Sequence, residues 1–205
     1  IANQVLPKND IFIATDSKLI EKKVLEHNFQ CILTREAITG TDRVAIASKE
    51  LDYDFFINIQ GDEPLLNFED IQKCIELKTK YPQYVFNGFN IISQDEDPKS
   101  PNIPKVVTNE KDDLIYISRS LIPSKKDLNN IANIKYKKQV CIYGFSKDEL
   151  NLFYNFGKKS HLENIEDIEI LRFFELNIKI KMFECSKGSI AVDVPLDVKK
   201  AEKLL

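Results

Sequence analysis

The chain has 205 residues, a hydrophobic content of 43% and a formal net charge of −3. That length suits one domain, and the mildly acidic balance argues against the broad basic footprint of a nucleic-acid-binding protein. No apolar run approaches the about 20 residues of a membrane helix, and residues 1–10 lack the charged start and apolar stretch of a signal peptide. Cys31, Cys74, Cys141 and Cys185 lie far apart without a CxxC pair. They read as reduced cysteines of a cytoplasmic protein rather than as a disulfide framework or zinc site.

Asp10–Ala14 is a short apolar run that predicts a buried strand, and Thr15, Asp16 and Ser17 supply N-cap candidates for a helix through His27. Cys31–Leu33 is a second strand. The polar loop Thr39-Gly40-Thr41-Asp42 opens a helix over Arg43–Leu51. Phe55–Ile59 is a core strand that breaks abruptly into Gln60-Gly61-Asp62-Glu63-Pro64. Asn67 caps an amphipathic helix, Phe68–Tyr81, with Ile71, Cys74, Ile75 and Leu77 on one face. Tyr84–Ile92 is the next strand. Strands and helices in alternation with short turns argue for a parallel, doubly wound α/β sheet.

The pattern changes after Ser93. Pro98, Pro101 and Pro104 mark a loop, and Lys105–Thr108 and Leu114–Ser118 flank a polar turn and read as a β-hairpin. Asn129–Lys138 reads as an exposed loop and Val140–Phe145 as a strand. Lys147–Phe156 and Ile165–Leu176 read as helices, Ile178–Phe183 and Ser189–Val192 as late strands. Pro195 opens a final helix through Leu204. No domain linker interrupts the chain, so residues 1–205 read as one domain in which about 109–145 contributes a smaller lobe.

Asp62 and Glu63 stand at the carboxyl end of a core strand, where open α/β sheets bind their ligands, and Gly61 permits a tight turn there. Asp193, in Ala191-Val192-Asp193-Val194-Pro195, occupies the equivalent place between a strand and a helix. If the two strands are neighbours the carboxylates converge, and Mg²⁺ is typically held by one or two carboxylates plus phosphates and water. An Asp before a helix also serves as an N-cap. The Thr39–Arg43 loop offers backbone amides and two hydroxyls that could read a base edge, hold an anion or simply cap the helix. Arg119, after a predicted strand, could grip a carboxylate or phosphate bidentately or form a surface ion pair.

These segments, in this order, resemble the 3-deoxy-manno-octulosonate (Kdo) cytidylyltransferase family. The resemblance runs through Ile13-Ala14-Thr15-Asp16, Thr39-Gly40-Thr41-Asp42-Arg43 and Asn58-Ile59-Gln60-Gly61-Asp62-Glu63-Pro64. It continues through Pro101-Asn102 with Lys105-Val106-Val107, and through Tyr116-Ile117-Ser118-Arg119 with Ile122-Pro123. Ile142-Tyr143-Gly144, Leu162-Glu163 with Ile168-Glu169, and Val192-Asp193-Val194-Pro195 complete it. It implies a mostly parallel, doubly wound sheet of the nucleotidyltransferase (GT-A-like) type with a small β-rich dimerisation lobe. It also implies transfer of CMP from CTP to a Kdo-like acid, for lipopolysaccharide or capsule, by a cytoplasmic homodimer that binds neither nucleic acid nor membrane.

On this resemblance Asp62 and Asp193 would hold Mg²⁺ and, with Arg119, form the catalytic set. Thr39, Gly40, Thr41 and Arg43 would face the nucleotide. Gln60, Arg119, Gln139, Tyr143 and Glu169 would contact the sugar acid. The chain departs from the pattern at Gln139, where the family usually has a histidine that faces the sugar. Gln keeps hydrogen-bonding capacity but cannot become cationic. His161 stands where the family commonly has proline, and Ile170 where it often has a polar residue; His161 offers an imidazole near the same site. The family's first strand and its Gly-, Arg- and Lys-bearing triphosphate loop have no counterpart before Asp10. Two other readings stay open here: a non-catalytic protein that keeps the fold without that loop, and a related transferase for an amino-Kdo, a sialic-type acid or a polyol phosphate.

Overall fold

The structure is a computed structural model that describes residues 1–126, 134–186, 192 and 195–202. In chain order its elements are β1 (Phe12–Thr15), α1 (Lys18–Glu26), β2 (Gln30–Leu33), α2 (Gly40–Ser48), β3 (Phe55–Ile59), α3 (Phe68–Lys80) and β4 (Val85–Ile91). There follow β5 (Lys105–Thr108), β6 (Leu114–Ser118), β7 (Lys137–Ser146), α4 (Lys147–Asn155), α5 (His161–Glu166), α6 (Arg172–Glu175), β8 (Ile180–Glu184) and α7 (Pro195–Glu202). The expected strand over Ser189–Val192 and the loop from Asn129 fall largely outside the described residues.

Helix starts follow local chemistry. Ser17 accepts the Ile20 N–H at α1, and Asn67 accepts the Glu69 N–H at α3, each satisfying an orphan donor of a first turn. Ser146 with Glu149, and Ser160 with Glu163, form capping boxes at α4 and α5. Two boundaries differ from the sequence reading. α2 begins at Gly40 rather than Arg43, because Thr39 is the N-cap and accepts the Asp42 N–H. The expected continuous helix over Ile165–Leu176 is broken. Asp167 ends α5 in the left-handed conformation (φ 52°), Ile168 is extended, and a 3-10 turn at Glu169–Leu171 leads into α6.

β1 and β2 pair in parallel as a two-stranded sheet. Rings bridge from it to β3: Tyr53 lies 6.1 Å from Phe12 and 6.3 Å from Phe56, edge to face. The main sheet has six strands, with β6, β5, β7, β4 and β8 in order and β3 also on β7. β3, β4, β5 and β8 run in one direction, so the central sheet is mostly parallel in direction. β7 runs against them and pairs with β4 on one edge and with β3 and β5 on the other. It is longer than the sequence suggests, starting at Lys137 rather than Val140. The apolar run of β7 looks like any buried strand, so its reversed direction has no local signature.

Alternation along β4 and β7 builds a core on each face. Val85, Phe89, Tyr143 and Phe145 join Phe153 of α4 and Phe173 of α6 on one side, with Phe145 and Phe173 rings stacked at 5.5 Å. Phe86, Val140 and Ile142 meet Ile71 and Cys74 of α3 on the other. Two buried ionic groups tie the helices down. Lys78 Nζ donates to the carbonyls of Pro82 (2.9 Å) and Tyr84 (2.8 Å) and to Glu149 (2.7 Å). Arg172 is fully buried between Asp42 and Glu163.

Two substitutions test this framework. Arg172→Ala strands two buried carboxylates, and such a loss costs about 3–5 kcal/mol; a wild-type urea midpoint would refute the anchoring role. A Cβ at position 88 would lie 2.6 Å from Cys185 Sγ and 2.7 Å from Ile142 Cγ2. Gly88→Ala is therefore expected to destabilise by about 1–3 kcal/mol, with part of the loss recovered when Cys185→Ala is added, as read by thermal unfolding.

Candidate active site

β3 delivers the Gln60–Pro64 turn to the carboxyl edge of the sheet. The Gln60 N–H donates to the Cys141 carbonyl (3.2 Å), which extends the β3–β7 ladder, and the Glu63 N–H closes the turn on the Gln60 carbonyl (3.2 Å). Glu63 is buried and its Oε1 accepts the Cys141 N–H at 3.0 Å. The Asp62 carbonyl accepts the Val192 N–H at 2.8 Å. The chain that carries Asp193 thus runs beside Asp62, although Asp193 itself lies outside the described residues.

Opposite this turn, β7 presents Gln139, Cys141 and Tyr143. The β4–β7 register shifts here, with Asn87 opposite Tyr143 but Gly88 opposite Val140. A bulge leaves backbone groups unpaired, and Asn87 supplies the partner: its Nδ2 donates to the carbonyls of Val140 (2.9 Å) and Ile142 (3.0 Å). Asn87 Oδ1 then accepts from Gln139 Nε2 (2.9 Å), which also donates to the Tyr143 hydroxyl (3.3 Å). Burial pushes the Tyr143 phenol well above its usual pKa, and the nearby Cys141, Glu169 and Asp62 add to this. Burial likewise raises the Cys141 thiol, helped by Asp62 and Glu63. Both groups stay protonated at neutral pH: the phenol remains a donor and the thiol a poor nucleophile.

The first turn of α2 faces the same place. Glu169 Oε1 accepts the Gly40 N–H (3.0 Å), and Oε2 accepts the Thr41 N–H (2.7 Å) and Thr41 Oγ1 (2.6 Å). A Cβ at Gly40 would lie 3.2 Å from Glu169 Oε1 and 3.3 Å from Gln60 Nε2, so Gln60, Gly40 and Glu169 share one small volume. With the Asp42 N–H on Thr39 Oγ1 (3.2 Å), the amides of this turn are held internally. The Gly40, Thr41 and Asp42 amides are therefore already bonded within the protein and not presented to an anion.

The two arginines are more committed than their sequence positions suggest. Arg43 pairs with Asp16 (2.7 Å) and donates to Thr34 Oγ1 (2.7 Å), and its guanidinium holds the Asp16 carboxyl below its usual range. Arg119 donates through Nε to the Glu166 carbonyl (2.6 Å), through Nη1 to that of Pro101 (2.9 Å) and through Nη2 to that of Asp167 (3.0 Å). At least three of its five donors therefore clamp the Pro101 loop to the end of α5. His161 is exposed at the first position of α5.

The structure therefore brings Gln60, Asp62, Gly40, Thr41, Gln139, Tyr143 and Glu169 together, and sets Arg43 and Arg119 in flanking ion-pair and carbonyl networks. Sequence reasoning missed Asn87, Glu63 as a backbone clamp, and Arg172 beneath the α2 turn. The spacing Asp42-Arg43 with a later Glu163…Arg172 carries no local signal for the last of these. Among the described residues, no group of three or more His, Cys, Asp or Glu side chains could hold a metal ion; a Mg²⁺ site needs fewer protein ligands.

Comparison with known proteins identifies the family. A cytidylyltransferase family model matches residues 2–180. The chain is 34% identical to the 3-deoxy-manno-octulosonate cytidylyltransferase of Christiangramia forsetii, over 96% of this chain and 80% of that one. It is 37% identical to the enzyme of that name from Fusobacterium nucleatum, over 90% and 75% of the two chains. Its fold superposes on a CMP:2-keto-3-deoxy-manno-octonic acid synthetase complexed with CTP with a TM-score of 0.83, 32% identity, and coverage of 94% and 79%. An inositol-1-phosphate CTP transferase from T. maritima shares the fold at a TM-score of 0.60 and 17% identity, over 94% and 74% of the two chains. The chain belongs to the cytidylyltransferase family, among the 3-deoxy-manno-octulosonate cytidylyltransferases.

Proposed function

We propose that this protein transfers CMP from CTP to Kdo, giving CMP-Kdo and pyrophosphate. The observation that carries the reading is the convergence of the Gln60–Glu63 turn, the Gln139–Tyr143 face and the α2 N-terminus at the carboxyl edge of one sheet, in a chain of this family. The anomeric hydroxyl of the sugar acid attacks the α-phosphorus, and the bond to pyrophosphate breaks. Thr39, Gly40, Thr41 and Arg43 line the cytosine side. Gln60, Gln139 and Tyr143 line the sugar side, where the protonated Tyr143 offers a donor, and Arg119 answers the sugar carboxylate with the donors its carbonyl contacts leave over; Glu169 stands where the two sides meet, bonded to the α2 turn.

The donor set fits a hard cation. Asp62 acts electrostatically on both Cys141 and Tyr143, so its charge is felt across the site, and the segment bearing Asp193 is hydrogen-bonded to it. Asp62 and Asp193 would hold Mg²⁺, which when bound would offset charge on the phosphates and template the transfer. The chain's own contribution is to orient two anionic substrates against each other in a fixed frame.

A homodimer through the lobe at 109–145 is part of the proposal. β6 is the edge of the six-stranded sheet and Ile115 on it is exposed, an arrangement open to a partner strand. Four free cysteines and the use of CTP support a cytoplasmic setting. No helix among the described residues is long and apolar enough to cross a membrane.

Gln139 favours testing a second reading, a modified Kdo-like acid, since an amide replaces the imidazole on the sugar side. Pyrophosphate release from CTP is expected to require both Mg²⁺ and Kdo, and Asp62→Asn to lower kcat/KM by more than about 100-fold. Release that prefers an amino-Kdo or a sialic acid would move the assignment to that acid. Release without any sugar acid would sink it. For the dimer, light scattering should give twice the chain mass and Ile115→Lys should reduce it; a monomeric wild type would refute the lobe's role.

A further inference from the structure

The run Glu169–Glu175 touches the first turn of α2 at two levels. Arg172 holds Asp42 from below with two bonds, 2.9 and 3.0 Å. Three residues earlier, Glu169 holds Gly40 and Thr41 with three, at 3.0, 2.7 and 2.6 Å. A single carboxylate thus takes both backbone donors and the hydroxyl at the tip of the turn.

Gly40 gives independent support. Its φ is not positive, so the position does not need glycine for its backbone conformation. It needs space: any Cβ would press on Glu169 Oε1 at 3.2 Å and on Gln60 Nε2 at 3.3 Å. The residue at 40 is small enough to admit the carboxylate. A negative charge against the N–H groups of a helix start is also the favourable sense for the helix dipole.

We infer that Glu169 is a positioning residue for the nucleotide: it fixes the Thr39–Arg43 turn that meets the base, and it serves CTP binding through that turn rather than by gripping the sugar acid. This rests on the cytidylyltransferase reading and deepens it. The same segment carries Arg172 in the core and Glu169 at the surface of the turn, so the α2 N-terminus is set by residues 128 to 130 positions later in the chain.

The test is a split of Michaelis constants for pyrophosphate release, with CTP and Kdo varied separately. Glu169→Ala should raise KM for CTP about tenfold, the size of a lost helix cap, and leave KM for Kdo within about twofold. Glu169→Gln should fall between, because one neutral oxygen still accepts. Thr41→Val, which removes one of the three contacts from the other side, should reproduce part of the CTP effect. Exchange of the Gly40 and Thr41 amides, measured by hydrogen–deuterium exchange in Glu169→Gln, should quicken while protection in the β7 core is unchanged. A rise in KM for Kdo with CTP unaffected makes Glu169 a direct sugar contact and overturns the inference alone. Unchanged constants for both substrates overturn it too. A wild type that neither binds CTP nor releases pyrophosphate overturns the cytidylyltransferase reading together with it.

Discussion

The geometry of the site depends on one buried charge. Arg172 has no exposed surface, and its guanidinium meets Asp42 and Glu163 with two bonds each, at 2.6 to 3.0 Å. It also donates to the Phe153 carbonyl at 3.2 Å and lies 3.7 Å over the Phe153 ring. Burial alone would lower its pKa, but the bonds to Glu163 and Asp42 more than offset that and raise it. Such a cluster costs desolvation energy and holds only when every partner is in place. Its value here is registry. Asp42 belongs to α2, Phe153 to α4 and Glu163 to α5, so one side chain fixes three helices relative to each other. Because Asp42 also accepts from Thr39 Oγ1 at 2.8 Å, the constraint reaches the N-cap of α2 and hence the proposed nucleotide side.

The second constraint is the direction of β7. A strand running against β3 and β4 brings its early residues, Gln139 to Tyr143, beside the carboxyl end of β3 rather than the opposite edge. The register shift against β4 then frees polar backbone at the site, and buried backbone groups must find partners. Each has one: the Cys141 N–H goes to Glu63, the Cys141 carbonyl takes the Gln60 N–H, and the Val140 and Ile142 carbonyls take Asn87. Side chains of the site thus double as repair of the sheet, and the Gln60–Glu63 turn is held by the same irregularity it borders.

What was legible in the sequence is what local chemistry dictates. The Phe55–Ile59 strand, the Asn67 cap, the Ser17 cap and the 105–118 hairpin follow from alternation, capping residues and a polar turn, and the structure has them. The carboxyl-end rule pointed to the Gln60–Asp62 turn, and the structure sets that turn at the end of β3, bonded to β7. The failures share a cause. The break at Asp167 is a single left-handed residue inside a run of good helix formers, and nothing in composition marks it. The reversal of β7, the Arg172 cluster and the Asn87 patch are pairings between segments 50 to 130 residues apart. A lone Asn in an apolar strand or a lone Arg before Phe-Phe reads as an ordinary exception until its partners are in view.

The Asn87 patch also gives the departure at position 139 a physical meaning. Asn87 Nδ2 is committed to two carbonyls, so its other atom must be an acceptor. That fixes the orientation of both amides, which the hydrogen-bond network rather than the atoms' appearance decides. Gln139 must turn its Nε2 toward Asn87 Oδ1, and the second Nε2 proton is taken by the Tyr143 hydroxyl. Both donors of Gln139 are then used inside the protein, and Oε1 is the atom it has to offer a ligand. An imidazole with one N–H on Asn87 would present its other nitrogen instead, as donor or acceptor according to its protonation. The amide removes that choice: with both Nε2 protons taken by Asn87 and Tyr143, position 139 presents an acceptor at every pH, and on the proposed function the complementary group is a hydrogen-bond donor on the sugar acid.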